Sequence, residues 1–340
     1  MSRFRLGLVV GKFAPLHLGH VALVEHAAAR CDRVLVLSYS RPEFAGCGPE
    51  RRRRWLQESF PFAEVAVLEA REVPPNAADD ATHQRFLAHW LDTRLAGRLG
   101  LRPDALFASE PYVAPCAAVM SQVFGQPVTP VMFDAERRRV PISATRLRAD
   151  PPAGLQWMPP AVRADFVPRV ALLGGESSGK SSLAAALAAA WGGDAVAEYG
   201  RERWVARAGQ LEEADLLAIA VEQCRREDLA ARSACPALAC DTSPLTTLGY
   251  ALWTHGRADP RLVALARRPY ALTVLCGDEI PFVQDGTRRD AAFRARQQAW
   301  YRQALAEHGV PWVDATGSLA ERVAQVTAAL ASGRERRCPQ

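Results

Sequence analysis

Val170-Ala171-Leu172-Leu173-Gly174-Gly175-Glu176-Ser177-Ser178-Gly179-Lys180-Ser181-Ser182 is the most informative run in this 340-residue chain. Four apolar residues make a short strand. The next eight fit G-x-x-x-x-G-K-[ST], and an Ala/Leu-rich stretch to Trp191 reads as a helix. The pattern carries meaning only in that strand–turn–helix setting, which is present. Backbone N–H groups between Gly174 and Gly179, including those of Glu176, Ser177 and Ser178, can surround a phosphate. Lys180 reaches terminal phosphate oxygens, Ser181 is a candidate Mg²⁺ ligand, and Ser182 continues the helix start.

The alternation of strand and helix continues on the C-terminal side. Residues 195–198, 237–240, 272–276 and 312–313 read as strands, and 211–231 and 319–330 as helices. Strands alternating with helices imply a doubly wound parallel sheet, whose carboxyl strand ends face the ligand crevice. Glu198, with Tyr199 and Arg201 after it, and Asp241 stand at such ends. Asp241 is a candidate Mg²⁺ ligand or proton acceptor, and Glu198 is its rival as base or substrate contact. Residues 281–290 combine Gly286 with Asp285, Arg288 and Arg289 before a helix carrying Phe293, Trp300 and Ala304. They read either as a mobile lid over phosphates or as a solvated charge run.

The first half shows the same alternation. Residues 6–10, 33–38, 64–68, 105–108 and 128–133 read as strands; 21–30, 50–59 and 82–98 read as helices. The first strand runs into Gly11-Lys12-Phe13-Ala14-Pro15-Leu16-His17-Leu18-Gly19-His20. Two histidines three apart at a helix start share one face, and a helix N-terminus attracts anions. His17, His20 and Lys12 thus form a cradle for a triphosphate. Pro141-Ile142-Ser143-Ala144-Thr145-Arg146-Leu147-Arg148 supplies an N-cap, hydroxyls and a guanidinium that could clamp β- and γ-phosphates.

Prolines 151, 152, 159, 160 and 168 forbid a continuous helix between the halves. Residues 1–150, a proline-rich linker 151–168 and residues 169–333 are therefore the expected division. The linker is too apolar, with Leu155, Trp157, Met158 and Phe166, to be freely flexible. Apolar residues make up 49% and charged residues 23%, and the net charge is +5, which suits anionic small ligands without a basic nucleic-acid tail. Lysine occurs only at Lys12 and Lys180, one in each glycine-flanked turn. None of the eight cysteines forms a Cys-x-x-Cys pair, no run is long enough for a membrane span, and no leader is evident. The expected setting is the cytoplasm. The run Arg51–Arg54 reads as a solvated helix face that could meet a substrate phosphate.

The pair Gly-Lys-Phe-x-Pro-x-His-x-Gly-His and Ile-Ser-x-Thr-x-x-Arg resembles the nucleotidyltransferase superfamily that adenylylates nicotinamide mononucleotide or phosphopantetheine. The order of all the elements resembles the bifunctional NadR-type family over nearly the whole chain. Glu198-Tyr199…Arg201-Glu202, Asp241-Thr242…Thr246-Thr247 and Asp285-Gly286…Arg288 also look like that family's kinase motifs. The resemblance implies a Rossmann-like nucleotidyltransferase joined to a P-loop kinase. In the first, Gly11, Phe13, His17, His20, Ser143, Thr145 and Arg148 would hold ATP, with Lys12 assisting. In the second, the 174–182 loop would hold ATP and phosphorylate nicotinamide riboside. Mg²⁺ and ATP are the implied cofactor and co-substrate; nucleic acid and membrane are not implied partners, and a homo-oligomer is compatible. The chain departs from the expected pattern at Ser243 and Gln284, where acidic residues would be typical. Two alternatives stand beside this: a different phosphate acceptor for the first half, and a nucleotide-sensing second half. An aromatic face is expected for the cationic pyridinium ring; Trp55 and Trp90 are candidates, although Trp90, on the apolar face of its helix, reads first as a core residue.

Overall fold

The structure is a computed structural model that describes residues 3–335 apart from Ala96, Arg98, Leu99, Asp285 and Thr287. The chain divides into two compact units, with the boundary after Asp165.

The first unit runs β1 (Phe4–Gly11), α1 (Leu18–Ala28), β2 (Cys31–Ser38), α2 (Pro49–Ser59), β3 (Glu64–Val67), α3 (Asp80–Trp90), β4 (Ala105–Ala108), α4 (Val113–Phe124), β5 (Thr129–Met132), α5 (Ala144–Ala149) and α6 (Pro160–Phe166). Its five strands are parallel in the order β3-β2-β1-β4-β5, with Leu8 registered against both Leu35 and Leu106. A central parallel strand is covered on both faces, so it reads as a continuous apolar run. Leu6, Leu8 and Val9 are accordingly fully buried. One face packs on Leu87 and Ala88 of α3 and on Val113, Ala117 and Met120 of α4. Chain direction across the sheet reverses between β1 and β4, so the crevice lies beyond the carboxyl end of β1.

Within the stretch 82–98 expected to be one helix, α geometry is interrupted after Trp90. Residues Leu91–Leu95 wind as a π turn, and Thr93 Oγ1 donates back to the His89 carbonyl at 2.7 Å, a bond that loosens the ladder at that point. The proline-rich segment is folded. Pro152–Trp157 form a 3₁₀ turn, Leu155 and Met158 are fully buried, and Asp165 accepts the Trp55 indole N–H at 2.7 Å and an Arg54 N–H.

The second unit runs β6 (Arg169–Leu173), α7 (Lys180–Trp191), α8 (Tyr199–Ala206), α9 (Glu213–Ala230), β7 (Leu238–Asp241), α10 (Pro244–His255), α11 (Pro260–Ala266), β8 (Leu272–Cys276), α12 (Ala291–Glu307), β9 (Trp312–Ala315) and α13 (Leu319–Glu335). Its sheet is parallel in the order β7-β6-β8-β9. Leu183, Leu187 and Val326 cover one face; Leu216, Ile219, Leu245 and Leu305 cover the other. The expected strand at 195–198 is reduced to one bridge, Val196 to Cys240. Glu198 already caps α8, which leaves too few extended residues for a ladder.

Candidate functional sites

In the first unit, the β1–α1 turn is built around two imidazoles. His17 is the N-cap of α1, and its Nδ1 accepts the Gly19 N–H at 3.2 Å. Its ring stacks on that of His20 with centroids 3.7 Å apart and planes 22° apart. Phe13, buried and with φ 49°, sets its ring against His20 at 4.9 Å. Phe13 therefore shapes the turn and holds His20, while Lys12 is exposed. Burial, with some repulsion from Arg137, lowers the His17 pKa to about 4. Burial, then the neighbouring His17, pushes His20 well below its ordinary value. Both rings are thus neutral at pH 7, and the buried His20 Nδ1 has no hydrogen-bond partner.

The 141–148 motif comes to this turn, although more than a hundred residues separate the two. Ser143 caps α5, accepting from the Arg146 N–H at 3.3 Å. Arg148 donates to the Ala14 carbonyl at 2.6 Å and to Thr145 Oγ1 at 2.9 Å. Arg148 thus ties α5 to the β1–α1 turn at the Ala14 carbonyl, three residues before His17.

Two expectations about aromatic and basic residues change. Trp55 is fully buried with its N–H on Asp165, so it offers no ring face to a ligand. Trp90 lines a separate groove with Leu68, Phe86 and Arg94. The arginine run is not uniformly solvated, because Arg52 is fully buried whereas Arg51, Arg53 and Arg54 are exposed. A run of four on a helix must turn one member inward, and the sequence contains no signal for which.

In the second unit, the loop after β6 borders a cavity of about 410 Å³. Gly174 adopts φ 142°, and a Cβ there would lie 2.8 Å from Ser178 Oγ and 3.0 Å from the Cys276 carbonyl, so only glycine fits. Lys180 Nζ donates to the Gly174 and Gly175 carbonyls at 2.9 and 3.0 Å. Ser181 and Ser182 line the cavity, as do Glu176, Ser177 and Ser178. The loop is held from two sides. Gln298 and Gln297 of α12 accept from Gly175 N and Glu176 N at 3.1 and 2.8 Å. Buried Arg322 donates to the Ser178 carbonyl at 2.8 Å and to Glu279 at 2.6 Å. None of these three supports carries a local motif, which is why the sequence reading omits them.

Glu198 and Arg201 also line the cavity. Burial raises the Glu198 pKa, against the pull of Lys180. Tyr199 does not line it; its ring lies under Arg226 at 4.4 Å. Asp241 sits at the end of β7, almost buried, with Oδ1 unpartnered. Thr242 beside it has φ 92°, unusual for a β-branched residue. Ser243 caps α10, accepting the Leu245 N–H at 3.2 Å, which gives that departure a structural reason. Gln284 donates to the Arg288 and Arg289 carbonyls at 2.8 and 3.0 Å and accepts from Gly286 N. A carboxylate could not make both donations. Arg288 reaches Ser177 Oγ at 3.3 Å, and Asp285 lies outside the described residues. Tyr250, which donates to Glu176 at 3.0 Å, and Trp204 extend the cavity beyond the loop. Both sit in helices, α8 and α10, that the sequence pattern does not single out.

Among the described residues, no group of three or more His, Cys, Asp or Glu side chains could by itself hold a metal, and no helix is long and apolar enough to cross a membrane.

Comparison with known proteins agrees with both halves. A family model described as an AAA domain matches residues 169–322. The trifunctional NAD biosynthesis/regulator proteins NadR of Escherichia coli and Salmonella typhimurium are each 28% identical over 306 residues, covering 83% of this chain and 71% of theirs. A solved NadR protein in complex with NR superposes with TM-score 0.76 at 21% identity, over 100% of both chains. A solved NadR protein in complex with NAD and AMP-PNP gives 0.74 at 20% identity, again over 100% of both. With a glycine-flanked turn after an inner strand of each of two parallel sheets, in the same order along the chain, this protein is similar to NadR proteins over most of its length.

Proposed function

We propose that this chain makes NAD in two steps. The first unit transfers AMP from ATP to nicotinamide mononucleotide, releasing pyrophosphate. The second phosphorylates nicotinamide riboside with ATP and so supplies the acceptor. The observation that carries the reading is the coexistence of two differently built phosphate turns, His17/His20/Arg148 and 174–182, in a chain related to NadR proteins over most of its length.

In the adenylyl transfer, a phosphate oxygen of the mononucleotide attacks the α-phosphorus, and the bond to the pyrophosphate oxygen breaks. The nucleophile is already ionised at pH 7, so no protein base is needed. The protein orients the triphosphate and stabilises charge. His17 and His20 present ring nitrogens to it. Lys12 and Arg148 supply positive charge, and Ser143 and Thr145 supply hydroxyls.

In the kinase step, a ribose hydroxyl attacks the γ-phosphorus and ADP leaves. Lys180 and the loop N–H groups take the β/γ charge. Glu198 is assigned the hydroxyl proton, because it lines the cavity and burial makes it a stronger base. Asp241 and Ser181 would hold Mg²⁺, which suits the unpartnered Asp241 Oδ1 and the cavity-facing hydroxyl; the ion would add charge neutralisation on the phosphates. A cytoplasmic setting fits the seven cysteines among the described residues, all free and six of them buried.

The size of the cavity favours a kinase over a nucleotide sensor, since it continues past the loop to Trp204, Thr254 and His255, leaving room for an acceptor. The test is to supply nicotinamide mononucleotide and nicotinamide riboside separately to purified protein with Mg-ATP. NAD from the first and mononucleotide from the second support the proposal. A riboside left unconsumed, with ATP still bound by the second unit, would leave the sensor as the better reading.

A further inference from the structure

The loop between β2 and α2, residues 39–48, carries a device that no motif covers. Its anchor is Arg52, fully buried on α2. Arg52 donates from Nε to the Cys47 carbonyl at 3.0 Å, from Nη1 to Ser38 Oγ at 2.6 Å, and from Nη2 to Glu43 Oε1 at 2.6 Å. Ser38 Oγ in turn donates to the Lys12 carbonyl at 3.0 Å. A second anchor, Asn76, donates to Ser40 Oγ and the Pro42 carbonyl at 3.1 and 3.0 Å and accepts from Arg41 N at 3.1 Å. Such a loop is rigid, and it presents Phe44. The Arg148 guanidinium lies over the Phe44 ring, 4.1 Å from its centroid. The same guanidinium is fixed at its edge by the Ala14 carbonyl and Thr145 Oγ1.

We propose that Phe44 is a positioning residue for Arg148: the ring holds the guanidinium flat and preorganised for the β- and γ-phosphates. This rests on the adenylyltransferase reading of the first unit. An aromatic face attracts a planar cation through its quadrupole, which an aliphatic side chain of similar bulk does not do. Chain entropy that Arg148 would lose on binding phosphate is already lost in the free protein.

The test compares Phe44→Leu and Phe44→Tyr, each made in the full chain. With Phe44→Leu the KM for ATP in NAD synthesis, and for pyrophosphate in the reverse direction, rises about three- to tenfold. The KM for nicotinamide mononucleotide stays within about twofold, and Phe44→Tyr restores the wild-type values. In an Arg148→Lys background, Phe44→Leu adds little further. The unchanged KM for nicotinamide mononucleotide, together with an unchanged urea-unfolding transition of the first unit, reports that each variant is folded where the substitution lies. The proposal is overturned if Leu serves as well as Phe, or if both KM values move together. If the wild-type chain makes no NAD from the mononucleotide, it is the underlying reading that has failed.

Discussion

The two candidate phosphate turns follow inner strands of their sheets, β1 and β6, yet they are made of different material. The first is made of side chains: two stacked imidazoles, an arginine on an aromatic ring and a serine cap. The second is made of main chain: a glycine-constrained loop whose N–H and C=O groups are tied down by Lys180, Gln297, Gln298 and Arg322. Side-chain sites titrate and fail one residue at a time. Main-chain sites tolerate pH but depend on conformation and on the groups that brace them.

The largest effect expected from this contrast is a clean separation of activities. His20→Ala lowers adenylyl transfer by about 10²-fold or more with kinase turnover unchanged, and Lys180→Ala does the reverse. Steady-state rates for each half-reaction check this, and loss of both activities from either variant would break the comparison.

Next in size is acid sensitivity. The folded His17 pKa of about 4 lies below the unfolded value near 6.5, so the unfolded state binds the extra proton. Stability from neutral His17 is full above about pH 6.5 and is lost as pH falls towards 4, at about 3 kcal/mol in all. His17→Asn keeps a competent N-cap and lacks this dependence. Its stability relative to wild type, measured by urea unfolding, should therefore improve between pH 7.5 and 4.5; parallel curves would contradict the burial argument.

Gly174→Ala comes next. The added Cβ meets Ser178 Oγ and the Cys276 carbonyl, so the second unit should lose about 2 kcal/mol and its ATP affinity should fall while NAD synthesis from the mononucleotide persists. The smallest effect is that of Gln298→Ala, which frees the Gly175 N–H and the Cys276 carbonyl for about 1–2 kcal/mol and a few-fold rise in the kinase KM for ATP.

How much of this was legible in the sequence follows from the same division. Both parallel sheets were readable because buried strands are apolar runs and because each phosphate turn sits at a strand–helix junction. The pairing of 11–20 with 141–148 was readable because both stretches carry recognisable chemistry. Arg52, Phe44, Arg322 and the two glutamines were not. Their role comes from being buried against a distant backbone, and residue type alone does not reveal that. Residues 195–198 look like a strand because a short apolar run falls where a strand–helix alternation needs one, but helix capping by Glu198 ends the ladder after one bridge. Trp55 looks like a ligand-stacking ring until its indole N–H is found on Asp165.

The central claim is that one chain carries two successive reactions, and the most direct measurement gives it nicotinamide riboside as sole acceptor with Mg-ATP and follows products by chromatography. The account predicts NAD, preceded by mononucleotide. It further predicts that Lys180→Ala makes no NAD from riboside but makes it normally from added mononucleotide. NAD formation from riboside by the Lys180→Ala variant at the wild-type rate would contradict it.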